Sequence, residues 1–302
     1  MNSIFLDTLN NKLTSRPPVW FMRQAGRILP SYQNLKKQYS FTEMMQSPEL
    51  AAKVTLLPID DLGVDAAILF SDILIVPEAL GMGLEFTDKG PLFDNPLTKY
   101  ESPASHLVKD TKILEHVYEN IEKVIETRPK NIPLIGFCGG PLTTFCFMFR
   151  GHVRDVTFHD AIKFLYSNPQ ESMKILEALT EVSIEYVRNQ AKHGIECFQL
   201  FETYSGLIPE QMYIEKILPL SKKILNEARN NGLPTIFFPK GLGNGLSYIT
   251  KDVCDFLSVD WQMNLKHARK IISRDIGIQG NIDPRILYSS YNDIEVYLST
   301  LK

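Results

Sequence analysis

Arg23 and Arg27 stand four residues apart in Arg23-Gln24-Ala25-Gly26-Arg27. If that segment coils, both guanidinium groups project the same way. Two planar cations side by side suit a carboxylate or phosphate through bidentate contacts. Two surface arginines near a helix start are the plain alternative, and spacing alone gives it even weight. Asp72 follows the apolar run Ala66 to Phe70. A carboxylate in that place is expensive unless it is paired or used. It reads either as a helix N-cap just after a strand or as a fixed negative charge at the mouth of a barrel.

These residues need elements to hold them. Seven short apolar runs, each bounded by Gly, Pro, Asp or Asn, have the length of buried strands: Val19–Met22, Ala66–Phe70, Leu134–Phe137, Cys197–Phe201, Thr235–Phe238, Phe256–Val259 and Ile276–Gln279. Helical patterns lie between them. Ser40–Gly63 has Thr42 in a capping place and stops at Gly63, Pro169–His193 and Pro209–Asn231 each stop at a following glycine, and Thr111–Thr127 and the shorter Leu265–Ile272 are helical in pattern. Continuous apolar strands alternating with helices predict a parallel sheet covered on both faces. Seven such units predict a single-domain (β/α)8 TIM barrel over 1–302, one strand short, with a doubly wound sheet as the alternative. Gly81–Tyr100, with three glycines and two prolines, reads as a β-hairpin or long loop.

Active sites of parallel α/β proteins lie at the carboxyl ends of the strands. Strand-end positions here include Ser71 and Asp72, Gly139 to Thr143, Glu202 and Thr203, Lys240 and Gly241, Asp260 and Trp261, and Asn281. Gly241-Leu242-Gly243-Asn244-Gly245 does not complete a dinucleotide-binding fingerprint, although Asp260 sits where its acidic residue would. None of the six histidines lies at a strand end, and the four cysteines form no metal-ligand spacing. We therefore expect no cofactor and no metal, with free buried thiols. The net charge of −3 gives no reason to expect nucleic acid or an anionic membrane surface. No apolar stretch of ~20 residues exists, and the first residues lack the pattern of a signal peptide. A cytoplasmic protein is the expectation.

Three collinear motifs carry a resemblance. Pro18-Val19-Trp20-Phe21-Met22-Arg23-Gln24-Ala25-Gly26-Arg27 resembles one signature of the uroporphyrinogen decarboxylases, and Gly136-Phe137-Cys138-Gly139-Gly140-Pro141-Leu142-Thr143 resembles the second. Phe70-Ser71-Asp72-Ile73-Leu74 stands between them, and Gln199-Leu200-Phe201-Glu202-Thr203, Asp260-Trp261 and Gly280-Asn281-Ile282-Asp283-Pro284 follow in order. The resemblance implies a homodimeric barrel that removes carbon dioxide from the four acetate side chains of uroporphyrinogen, a tetrapyrrole polycarboxylate. By the same resemblance Asp72 holds the pyrrole N–H groups and stabilises a cationic ring. Arg23 and Arg27 bind substrate carboxylates, Arg23 helps deliver the proton, and Thr203 contacts substrate. Phe147 stands where the family pattern has a tyrosine, so a hydroxyl at the substrate is missing. The family pattern also continues with a strand bearing a Gly-His-Gly turn and a last helix, where this chain ends at Leu301-Lys302. The expectation is a barrel without strand eight, and with it an impaired member of the family as an alternative. A corrinoid-linked methyltransferase is a weaker alternative, because Phe238-Pro239-Lys240-Gly241 offers no His or Cys for zinc.

Overall fold

The computed structural model describes residues 3–87, 90–150 and 157–301. In chain order the helices are α1 (Ile4–Leu9), α2 (Pro30–Lys36), α3 (Phe41–Gln46), α4 (Pro48–Leu62), α5 (Ile75–Glu78), α6 (Glu115–Thr127), α7 (Pro141–Phe149), α8 (His159–Ser167), α9 (Pro169–Lys192), α10 (Glu210–Met212), α11 (Leu218–Asn230), α12 (Leu265–Ile271) and α13 (Tyr291–Thr300). The strands are β1 (Ala67–Ile68), β2 (Leu84–Thr87), β3 (Gly90–Phe93), β4 (Leu134–Gly139), β5 (Cys197–Glu202), β6 (Thr235–Pro239), β7 (Phe256–Ser258) and β8 (Gly277–Gln279). Six strands form one parallel sheet in the order β1-β4-β5-β6-β7-β8, with helices between successive strands. That is the α/β class expected from the alternation. The hairpin expected within Gly81–Tyr100 is β2–β3, an antiparallel pair.

Every residue of β4 and β6 is buried, so these strands need helices over one face and a filled interior on the other. Side chains alternate along a strand. In β5, Gln199 and Phe201 share one face, while Phe198, Leu200 and Glu202 share the other. The first face is the interior. Phe137, Phe201 and Phe238, from three adjacent strands, meet there edge to face, with ring centroids 5.6 and 6.3 Å apart. Below that layer, Gln279 donates to Ser258 at 3.1 Å and to Gln199 at 3.4 Å.

The structure corrects two expectations. Val19–Met22 forms no strand. Val19, Phe21 and Met22 are each more than 40% exposed, so the apolar run lies along the surface and not within the sheet. Val19 does touch the sheet's approach: its carbonyl accepts from Asp65 N at 2.8 Å and its N–H donates to Asp65 Oδ2 at 2.7 Å. Trp20 Nε1 donates to Gln279 Oε1 at 3.1 Å. The segment is thus tied to the chain entering β1 and to β8, the two edges of the sheet, mainly by side chains. The second correction concerns Ser40–Gly63, which is two helices. Ser47 caps α4 through Leu50 N, and Pro48 opens it, because a proline ring cannot continue α3. The far end is as expected, with Gly63 closing α4 at φ +66°; at the near end Ser40, not Thr42, is the cap, forming a capping box with Glu43.

Candidate active site

Asp72 lies four residues beyond β1, partly exposed. Its Oδ1 accepts the Leu74 N–H at 2.9 Å, just ahead of α5. The capping bond is therefore present, and it engages one carboxylate oxygen, leaving the other with no hydrogen bond from the described residues. Burial pushes the Asp72 carboxyl above the usual range; the Leu74 N–H and the charge of Arg23 draw it back. The structure thereby brings together two of the residues singled out, Arg23 and Asp72, from segments separated by a whole helical region. Glu78 in α5 was not foreseen. Burial raises its carboxyl, and the Asp72 charge adds to the rise, so the two acids sense each other.

Arg23 and Arg27 are both exposed, and their segment is a succession of turns with no helix. The coil on which a shared face depended is absent. Arg23 adopts φ +59°, a left-handed conformation that few non-glycine residues take. Gly26 permits it, because a Cβ there would stand 2.9 Å from the Arg23 carbonyl oxygen. Between the arginines, Gln24 is 1% exposed and works as a plug. Its Nε2 donates to the Ala66 carbonyl at 2.9 Å, and its Oε1 accepts Phe21 N at 3.0 Å. Further back, Arg16 grips Asp65 with both terminal nitrogens at 2.7 and 2.8 Å. Arg27 is near enough to Tyr32 of α2 to influence its hydroxyl, and no bond joins it to Asp72 among the described residues.

Phe147 and Thr203 come from different strand–helix units and approach the same place. Phe147, in α7, packs edge to face on Phe158 at 5.2 Å and on Tyr204 at 5.9 Å, with the Arg150 guanidinium 4.4 Å from its ring centre. Tyr204 is the residue after Thr203, so α7 and the end of β5 are in contact at the mouth of the barrel. Gly151, which follows Arg150 in the sequence pattern, lies outside the described residues.

Under this contact sits Glu202, fully buried at the end of β5. Its carboxylate accepts Leu142 N at 3.2 Å, Thr143 N at 2.7 Å and the Thr143 hydroxyl. These are donors of the first turn of α7, whose N-terminal dipole also favours an anion. Gly140 makes room for the acid: a Cβ there would lie 2.5 Å from the Glu202 carboxyl carbon.

Across the barrel, Asp260 accepts Gly241 N and Gln262 N, both at 2.9 Å, and Asn281 donates to the Asp260 carbonyl at 2.9 Å. Both residues are occupied with holding loops. All four cysteines are buried and free. Among the described residues no group of three or more His, Cys, Asp or Glu side chains is placed to hold a metal ion. No helix among them is long and apolar enough to cross a membrane.

Comparison with known proteins places this geometry. A methyltransferase from Methanosarcina mazei superposes with a TM-score of 0.72 over 92% of this chain and 82% of its own, at 20% sequence identity, which speaks for a shared fold. Among curated proteins, the uroporphyrinogen decarboxylase of Geotalea uraniireducens is 36% identical over 98% of this chain and 86% of its own length. That of Geotalea daltonii is 37% identical over the same shares. The enzyme of Wigglesworthia glossinidia brevipalpis is 36% identical over 97% of this chain and 83% of its own. The family model for uroporphyrinogen decarboxylase matches residues 1–300, which takes in Asp72, the two arginines and the Gly140–Glu202 pairing alike, and the chain belongs to that family.

Proposed function

We propose that the chain decarboxylates the four acetate side chains of uroporphyrinogen, giving coproporphyrinogen for haem and related tetrapyrroles. The observation that supports this most directly is Asp72: a partly exposed carboxylate beyond a barrel strand, one oxygen held by Leu74 N, with the Arg23 charge beside it. A ring of four pyrrole N–H donors suits that single acceptor. Protonation of a pyrrole carbon makes a cationic ring. The electron pair of the breaking carbon–carboxylate bond flows into it and carbon dioxide leaves. A proton then adds to the exposed methylene, leaving a methyl group, and the ring carbon gives back its proton. A carboxylate ~4 Å from that cation contributes roughly 4 kcal/mol at an effective dielectric of 20, about three decades in rate if realised only in the transition state.

In this reading Arg23 and Arg27 bind substrate carboxylates, and Arg23 helps bring the proton. Thr203 and Phe147 line the pocket. The ring itself receives the electrons, so the route invokes neither metal nor cofactor. The family resemblance also supports a homodimer in the cytoplasm, and a net charge of −3 supports neither nucleic acid nor an anionic membrane as partner. A second reading, an impaired member of the family, is favoured by Phe147, which offers no hydroxyl where the pattern has one.

The test is turnover of uroporphyrinogen by the purified chain and by Asp72→Asn. The amide carries no charge and turns an NH2 toward pyrrole donors. It should fold normally and lose two or more decades of kcat, the usual scale for one preorganised electrostatic group. Near-normal turnover in Asp72→Asn would reduce Asp72 to a cap.

A further inference from the structure

The buried acid Glu202 lies outside the reacting centre but touches both walls of it. From β5 it accepts three donors of the first turn of α7. One of them, the Thr143 hydroxyl, in turn accepts Tyr204 N at 3.2 Å. The chain of bonds runs from α7 through Glu202 and Thr143 back to the residue after Thr203. Tyr204 then packs on Phe147, 5.9 Å between ring centres. Two further bonds stiffen the junction: Gly140 N donates to the Phe201 carbonyl at 2.8 Å, and Lys240 N to the Glu202 carbonyl at 3.1 Å. A structural helix cap needs one acceptor for one or two amides. Here a fully buried carboxylate is spent on a helix of nine residues, and a glycine is kept at 140 to admit it. Burying an acid carries a large desolvation cost. Plain capping by Ser or Asp at position 140, the N-cap, would satisfy such amides locally without an acid brought from β5.

We propose that Glu202 is a positioning residue that clamps α7 to the end of β5, fixing Phe147 and Thr203 at a set separation across one substrate face. The proposal rests on the reading that these two residues meet the substrate. It also makes the clamp sensitive to protonation. Burial pushes the Glu202 carboxyl up to about 7, against the pull of the Thr143 and Leu142 donors. The titratable groups that sense its charge are Cys138 of β4, Cys146 of α7 and Tyr213 of the π-helical stretch between α10 and α11, and burial keeps all three neutral near pH 7. Glu202 therefore titrates without a charged partner. Its proton must displace one of the three donated bonds, at best turning the Thr143 hydroxyl from donor to acceptor, so the clamp loosens as pH falls through neutrality.

The experiment is steady-state turnover of uroporphyrinogen from pH 6 to 9 by the wild type, Glu202→Gln, Thr143→Val and Thr143→Ser, together with amide hydrogen exchange at Leu142 and Thr143. In the wild type KM should rise as pH falls, with kcat little changed. Glu202→Gln should raise KM about tenfold at pH 8, the scale of one hydrogen bond to a charged group, keep kcat within about threefold, and lose the pH dependence of KM. Thr143→Val should act in the same direction, and Thr143→Ser should recover most of the loss, which keeps the test open if Glu202→Gln does not fold. Exchange at the two amides, corrected for intrinsic rates, should be faster in Glu202→Gln. A pH dependence of KM that survives in Glu202→Gln, or kcat falling in step with KM rising, overturns the proposal. An inactive wild type would instead sink the decarboxylase reading. The exchange measurement would then still decide the clamp, and equal protection in wild type and variant would overturn it.

Discussion

The two sides of this barrel are built by different means. On one side β4, β5 and β6 pair over five residues at each seam, Ile135 to Gly139 with Cys197 to Phe201, and Phe198 to Glu202 with Thr235 to Pro239. On the other side β1 contributes only Ala67 and Ile68, and the segment bearing Arg23 joins by Gln24, Asp65 and Trp20. Phe147 and Thr203 sit on the laddered side, the arginines on the tethered side, and Asp72 at the seam between them. A backbone ladder fixes many residues together, so one side chain lost there is felt cooperatively. A segment held by single side chains can open locally for much less than global unfolding requires. The contrast fits the chemistry assigned to each side: shaped walls need fixed spacing, whereas carboxylates on a flexible ring can be met by cations that adjust.

Three substitutions probe that contrast. The largest effect is expected from Gly140→Ala on the laddered side. Its methyl would enter the space of the Glu202 carboxyl, 2.5 Å away, with β4, α7 and β5 all closing on the spot. We expect a loss of roughly 2–4 kcal/mol, the scale of forced overpacking plus a disturbed buried charge, read by thermal unfolding, with kcat/KM falling alongside. A melting temperature within two degrees of wild type would break the claim that this side is rigid. Next comes Gln24→Ala on the tethered side. It leaves the Ala66 carbonyl and the Phe21 N–H without their partner, about 1–3 kcal/mol if the segment stayed closed. Local opening caps that penalty, so KM should rise about tenfold while the melting temperature moves less than in Gly140→Ala. Equal drops in melting temperature would erase the distinction between the sides. The smallest effect is expected from Phe147→Tyr, a few-fold change in kcat/KM, because Phe158, Tyr204 and Arg150 already hold the ring. An increase of more than tenfold would support the impaired-enzyme reading and show that a hydroxyl is the missing part.

How far the sequence could be read follows from the same contrast. Most of the sheet strands were legible because burial on both faces makes them apolar runs stopped by Gly, Pro, Asp or Asn, β4 and β6 most completely; β8, partly exposed along its length, showed only as the short run from Ile276. Val19–Met22 has the same appearance for another reason. Its apolar residues lie exposed beside the candidate site, and a run of four residues carries no mark of whether it will be covered. The break at Ser47-Pro48 was written locally, as a cap followed by a proline, but the apolar pattern continues through it. Asp72, Arg23 and Arg27 were found because a charge after an apolar strand, or two charges at close spacing, is a local signal. Phe147 came only from the family pattern, and Thr203 stood at a strand end but took its role from that pattern. Glu202 stood in view at a strand end, but its partners lie about sixty residues away on α7, and only the fold shows that Gly140 leaves a space for it. Glu78 is legible as an acid near Asp72 and nothing more until α5 turns it back.

Arg23 holds a left-handed backbone, φ +59°, that glycine would occupy with less strain. Such a seat costs a side chain on the order of 1 kcal/mol. For the lineage that carries it, the position is a standing temptation: the replacement that most relaxes the backbone is the one that discards the cation. Selection for heat resistance alone would drift toward glycine here, and so would a consensus drawn from sequences no longer under pressure to bind the substrate. On the proposed role of Arg23 in binding substrate carboxylates, an arginine kept at 23 in spite of that strain is what selection for the chemistry, and not for the fold alone, would leave.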